Sequence, residues 1–250
     1  MDTYQDIEKS IITKSRKGLW RPFCKALKDY ELIKPDEKVM VLISMGKESF
    51  LLCKCVEEII RHGDFGFDAY YVYIDNGDEE NLKYVEDMCD VLHVDVKIIK
   101  DNEYDYSIDK IIEYGKGLSC TKIALSDIYD DVLEMSMINI LYAGKTMTLM
   151  PKEYIDDMEI IRPLYLVEDD DIDTWVKRHN LSFKEDSYLR RDYKEERSKM
   201  KKLIYEMGKN NPFIRKNIYK TMCNVNLNCI LEYIEDDKNI SFLDNYKGEE

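Results

Sequence analysis

Five short apolar runs, rich in β-branched residues, recur along the chain: VMVLIS (39–44), AYYVYID (69–75), VDVKIIK (94–100), TKIALS (121–126) and EIIRPLYL (159–166). Helical periodicity fills most of the gaps between them, over 47–61, 78–91, 107–114 and 128–143. Strands alternating with helices of this length pair in parallel through right-handed crossovers, which predicts a doubly wound, mostly parallel, five-stranded α/β sheet. Ligands in such sheets sit beyond the carboxyl ends of the strands. The polar residues at those ends are therefore the candidates: residues 44–49, Asp75 with Asn76, and residues 126–131.

Helical pattern flanks this core on both sides. Residues 1–34 read as an N-terminal helical segment and 35–167 as the α/β domain. Residues 168–235 read as a C-terminal helical region, and 236–250 as a tail that frays. VEDDDIDTWVKRHN places acids at a helix start and Lys-Arg-His at its end, which suits the helix dipole.

The net charge of −14 argues against uniform attraction to nucleic acid. It is unevenly spread, since residues 190–220 hold 11 Lys/Arg against 4 Asp/Glu, a local +7. Such a stretch is either a solvated helix face with i,i+4 ion pairs or an arm for an RNA backbone, in which Arg190, Arg191 and Lys194 would touch phosphates. No run approaches the roughly 18 apolar residues of a membrane span. The beginning, MDTYQDIEKS, is too acidic and polar for a secretory signal. Seven cysteines (24, 53, 55, 89, 120, 223 and 229) include no C-x-x-C pair, a usage that fits reduced thiols and a cytoplasmic location.

In VLISMGKESFLL (41–52) an apolar run meets a polar loop and then a second apolar run. A strand turning into a helix offers free N–H groups and the positive end of a dipole, and both favour a phosphate. Gly46 permits close backbone approach, Lys47 adds a point charge, and Ser44 and Ser49 can donate hydroxyl hydrogen bonds. The loop is neither G-x-x-x-x-G-K-[ST] nor G-x-G-x-x-G.

S-M-G-K-E-S at the end of the first strand resembles the S-G-G-x-D-S loop of the PP-loop ATP pyrophosphatases. The chain is further similar to one branch of that superfamily, the tRNA 2-thiocytidine synthetases, collinearly over about residues 16–225. The matching stretches are RKGLWRPFCKALKDYELIKPDEKVMVLISMGKESFLL, TKIALSDIYDDVLEMSMINILYAGK, MPKEYIDDMEIIRPLYLVEDDDI and, more faintly, YKTMCNV. The resemblance implies that ATP binds with its β- and γ-phosphates in the loop. A substrate carbonyl then attacks the α-phosphate, pyrophosphate leaves, and a sulfur or nitrogen nucleophile takes the adenylated carbon. It assigns nucleotide binding to Ser44, Met45, Gly46, Lys47, Glu48, Ser49, Asp75, Ser126, Asp130 and Arg162. Lys47 and Asp130 become catalytic, and Glu48 a Mg²⁺ contact. It also implies a cytidine of a tRNA anticodon loop as acceptor, and an iron–sulfur cluster held by cysteines.

Several positions depart from that pattern. The interval DNEYDYSIDKIIEYGKGLSC lacks the family's C-x-x-C and its helix, and KEDSYLRRDYKEE lacks the later cysteine pair. A cluster needs about three or four converging thiolates, so none is expected here. Met45 replaces a glycine, a strained substitution if the position requires positive φ. Glu48 replaces aspartate, and the family's G-H-H-x-D-D reads Ser126-Asp127-Ile128-Tyr129-Asp130-Asp131. The expected function is a cluster-free ATP pyrophosphatase that adenylates a carbonyl, foremost that of a tRNA base, with ATP and Mg²⁺. The expected partners are tRNA and a sulfur-carrier or other partner protein, with a homodimer as the candidate assembly. The alternatives are a degenerate nucleotide- or RNA-binding paralogue, and an adenylating enzyme for a small metabolite.

Overall fold

The structure, a computed structural model, describes residues 3–63, 66–184 and 193–246. It opens on α1 (Tyr4–Ile12) and α2 (Arg21–Asp29), joined through a π-turn at Arg16–Trp20. The Thr3 hydroxyl and the Asp6 carboxylate cap α1 reciprocally. The α/β core comprises β1 (Lys38–Ile43), α3 (Lys47–His62), β2 (Asp68–Asp75), α4 (Glu79–Leu92), β3 (Val96–Lys100), α5 (Ile108–Gly117), β4 (Lys122–Ala124), α6 (Tyr129–Ile138), β5 (Lys152–Ile155) and β6 (Met158–Ile161). After it come α7 (Asp169–Arg178), α8 (Lys194–Asn210), α9 (Ile214–Thr221), β7 (Glu232–Glu235), β8 (Lys238–Ser241) and the short α10 (Phe242–Asn245).

The main sheet runs β3-β2-β1-β4-β6-β5 and is parallel except for the β5–β6 pair. The parallel α/β expectation therefore holds, but the sheet has six strands rather than five. The additional strand comes from KEYIDDMEII, a hairpin whose central Asp156 and Asp157 lie at φ 45° and 64°. Two left-handed residues match the twist of a two-residue hairpin, and the short polar side chain of aspartate tolerates that region. A second hairpin, β7–β8, turns on Asp236 and Asp237 at φ 47° and 59° and occupies the start of the expected tail. The run 159–166 is strand only to Ile161, because Pro163 has no N–H for a ladder. The helical pattern over 128–143 divides into α6 and a π-turn (Asn139–Ala143) ended by left-handed Gly144.

Alternation on β1 makes two cores. Val39, Val41 and Ile43 face Ile7, Phe23, Phe50, Leu51 and Val85 of the helices α1 to α4. Met40 and Leu42 face the other way, onto Ile111 and Ile112 of α5. Each such side chain, fully buried, contributes about 1.5–3 kcal/mol relative to exposure. Lys54 of α3 has a fully buried side chain that pairs with Glu8 at 2.5 Å and with Glu57, and it donates to the Leu92 carbonyl at 2.8 Å.

The C-terminal helices dock through tyrosines. Tyr219 of α9 packs on Tyr129 and edge-on to Tyr165, and its hydroxyl hydrogen-bonds that of Tyr30. No helix among the described residues is long and apolar enough to cross a membrane.

Candidate active site

β1 and β4 are neighbours in the sheet although β2 and β3 intervene in sequence, so the loops leaving their carboxyl ends diverge and open a crevice. A cleft of about 440 Å³ lies there. Lys47 and Glu48 line it from the start of α3, Asp130 and Asp131 from the start of α6, and Asp169 and Asp173 from α7, which follows β6. Lys184 and Lys201 add positive charge at its walls.

The loop after β1 is held by its own atoms. The Ser44 N–H donates to Ser49 Oγ at 3.1 Å, and that hydroxyl is within reach of the Ser44 and Gly46 carbonyls at 3.1 and 3.0 Å. Tyr84 of α4 donates to the Met45 carbonyl at 3.1 Å and accepts the Lys184 N–H at 3.0 Å, fixing the loop from behind. Gly46 is the N-cap of α3 and offers no capping side chain, so the first-turn N–H groups are left for another acceptor. The strain feared at Met45 is absent, since its φ is not positive and its side chain is buried in the core at 6% exposure.

Acidic partners surround the lysines. Lys47 Nζ donates to Asp169 Oδ1 at 2.6 Å and to Asp173. Burial disfavours the Lys47 ammonium, but these bonds and nearby Glu48 outweigh it and hold its pKa above the ordinary lysine value. The other Asp169 oxygen takes Lys201 at 2.8 Å, so one carboxylate bridges lysines of α3 and α8. Asp130 is held on three sides: Arg215 of α9 donates to both oxygens at 2.8 and 3.0 Å, and the Asp169 N–H adds a bond at 2.9 Å. Arg197 of α8 donates to Asp131 at 3.1 Å. Glu48 makes no hydrogen bond or ion pair among the described residues.

Of the residues singled out in the sequence, Lys47, Glu48 and Asp130 line the cleft directly. Ser44, Gly46 and Ser49 shape the loop behind it. Three others fall outside the lining. Asp75 accepts the Gly77 N–H in its own turn at 2.9 Å, and Ser126 is buried. The Arg162 guanidinium is occupied by Asp127, Glu153 and the Met150 carbonyl. Arg190 and Arg191 lie outside the described residues; Lys194 opens α8 and is exposed. Sequence reasoning missed Asp169, Asp173, Lys201 and Arg215. The only signal for the first two was the acidic run in VEDDDID, which also suits any helix start.

Burial pushes the Asp169 pKa up from 3.8, but hydrogen bonds from Lys201 and Lys47 outweigh burial and bring it down to about 2. A carboxyl depressed in the folded state stabilises the fold above its unfolded pKa, and that stabilisation disappears as pH falls through the folded value. Asp169→Asn should therefore cost about 2 kcal/mol of unfolding free energy at pH 7. In denaturant titrations the gap between the two proteins should close from pH 3.8 down to about 2, and a gap constant through that window would contradict the assignment.

No protein-family model matches the chain. The tRNA-cytidine(32) 2-sulfurtransferase 1 of Francisella philomiragia is 30% identical over 239 residues, covering 86% of this chain and 92% of that protein. The tRNA-cytidine(32) 2-sulfurtransferase 2 of Francisella tularensis is 29% identical over 239 residues, covering 86% and 94%. Among solved structures, the U34-tRNA thiolase NcsA from Methanococcus maripaludis, with its 4Fe-4S cluster, matches with a TM-score of 0.64 at 16% identity. That match covers 90% of this chain and 83% of NcsA, and it shows a shared fold.

Proposed function

We propose a function from the premise that this chain belongs to the family of the tRNA-cytidine(32) 2-sulfurtransferases: it uses ATP to adenylate a carbonyl oxygen of a tRNA base. The observation that carries this reading is the pairing, at one cleft, of uncapped first-turn N–H groups on α3 with Lys47 and with the carboxylate of Glu48, which has no hydrogen bond or ion pair among the described residues. Phosphates suit the N–H groups and the helix dipole. Glu48 would hold Mg²⁺, which when bound neutralises charge on the phosphates.

The chain's residues have defined tasks in this reaction. To bind the triphosphate, Lys47 exchanges Asp169 and Asp173 for phosphate oxygens, while Asp169 keeps Lys201. Asp130, fixed by Arg215, sets the start of α6 at the far wall. The base carbonyl oxygen bonds to the α-phosphorus as the bond to pyrophosphate breaks. A sulfur nucleophile then takes the activated carbon and AMP leaves.

The basic stretch 190–220 divides by direction. Arg197, Lys201 and Arg215 turn inward to Asp131, Asp169 and Asp130. Lys194, Lys199, Lys202, Lys209, Lys216 and Lys220 are exposed and would be available to an RNA backbone. Assaying AMP and pyrophosphate formation with and without unmodified bulk tRNA tests the reading. Formation that depends on tRNA supports it, and nucleotide binding without turnover would favour a degenerate paralogue.

In this reading the chain has no iron–sulfur cluster of its own. The donor set supports that: no group of three or more His, Cys, Asp or Glu side chains able to hold a metal ion occurs among the described residues. Cys53, Cys55, Cys89 and Cys120 are buried, and burial pushes their thiols up, to about 12 for Cys89 and about 11 for Cys120, away from the thiolate form that ligates iron. Cys120 precedes β4, at the amino end of that strand, whereas the cleft lies beyond the carboxyl ends. Protein purified without oxygen should carry neither iron nor sulfide in stoichiometric amount. A brown protein with both would overturn the point.

A further inference from the structure

Beneath α8 and α9 lies a second cavity, of about 350 Å³, which shares Asp130, Glu134, Asp169 and Lys201 with the first cleft. Its remaining lining is of different character. Leu133, Ile204, Tyr205 and Pro212 present apolar surface where the first cleft presents mostly charge. On α8 the lining residues 201, 204, 205, 208 and 209 recur at spacings of three and four, so they form one helix face.

Gly208 sits within α8, where glycine is less favourable than alanine. Neither strain nor crowding explains it. Its φ is not in the left-handed region, and a Cβ built there would meet no atom within 4 Å. The absent side chain leaves room in the cavity. At the mouth, Tyr205 is 65% exposed, and the Lys209 ammonium, which also pairs with Glu206 at 2.8 Å, lies 4.7 Å from its ring centroid. An aromatic face beside a cation, above an apolar floor, suits an unpaired nucleobase with its phosphate.

We propose that this cavity receives the acceptor, an unstacked base of single-stranded RNA that enters past Tyr205 and meets the nucleotide cleft at the Asp130–Asp169–Lys201 partition. The proposal rests on the adenylation reading above and adds where the acceptor sits.

Gly208→Leu tests it by filling the cavity from a position with space, using a better helix former. Its melting temperature should not fall, and calorimetry should find Mg-ATP affinity changed by less than about twofold, because the nucleotide cleft lies across the partition. AMP formation dependent on tRNA should drop about 10²-fold, as when a reactant is misplaced by about an ångström. Tyr205→Ala should raise the tRNA concentration for half-maximal rate by about tenfold. Independently of turnover, a stem-loop RNA carrying 5-bromocytidine in its loop should photocross-link to α8 in the wild type and not in Gly208→Leu. Wild-type rates in Gly208→Leu, or cross-links to other elements only, would overturn the cavity and leave adenylation standing. Cross-links to α8 without any AMP formation by the wild type would do the reverse.

Discussion

Lys47→Ala is expected to lower AMP formation from ATP by about 10²- to 10³-fold, the loss typical of one preorganised charge at a developing anion. Lys47 is the first residue of α3, and its pKa stays above the ordinary lysine value because Asp169, Asp173 and Glu48 together outweigh burial. It is therefore cationic at neutral pH. Its removal leaves Asp169 and Asp173 facing an incoming polyphosphate without the lysine between them. Mg-ATP affinity in calorimetry should fall about tenfold or more for the same reason. Asp173→Asn should move affinity the other way, because it removes one competitor for the ammonium. Equal affinity in wild type and Lys47→Ala would take the phosphates out of this loop.

Arg215→Met is expected to destabilise the protein by about 2–4 kcal/mol. The guanidinium grips both oxygens of Asp130, whose side chain is 11% exposed, and Glu168 lies 3.2 Å from the same group. With Arg215 gone, Asp130 retains only the Asp169 N–H among these partners, inside a wall already rich in carboxylates. Arg215 is itself 31% exposed, so the expected cost sits below that of a fully buried pair. Adding Asp130→Asn should recover part of the loss, since the uncompensated charge goes with it. Denaturant unfolding of the four proteins in that cycle measures the coupling. A coupling below about 0.5 kcal/mol would make the bidentate contact incidental.

The parallel core was legible because its strands are long in β-branched residues and its helices carry strong start signals. Asp78 and Ser107 cap α4 and α5 through their side chains, each at the beginning of a helical pattern in the sequence. What escaped was short. β5 and the β7–β8 hairpin have four-residue strands around an Asp-Asp pair, a turn whose signal is weaker than Asn-Gly or Asp-Gly. The candidate loop at 44–49 stood out as a local pattern of six residues, and it opens α3 at the cleft. Its partners did not stand out, because Asp169, Lys201 and Arg215 lie more than a hundred residues downstream of Lys47 and look in sequence like ordinary helix charges. Arg162 was misleading for a related reason. In a structure its charge is consumed by Asp127 and Glu153, which no single-sequence pattern reveals.

The buried Lys54 has a consequence for the order in which the chain is made. Glu8, Lys54, Glu57 and the Leu92 carbonyl all belong to the first 92 residues, together with β1, β2 and the helices around them. A nascent chain that has emerged that far holds every member of this ion cage and two of the six strands of the sheet. Domains form from the amino end during synthesis. The cleft is assembled later, because Asp130 follows that segment, Asp169 and Lys201 come later still, and Arg215 near the end. In that order of synthesis Lys47 precedes, by more than a hundred residues, both carboxylates that pair with it in the finished fold.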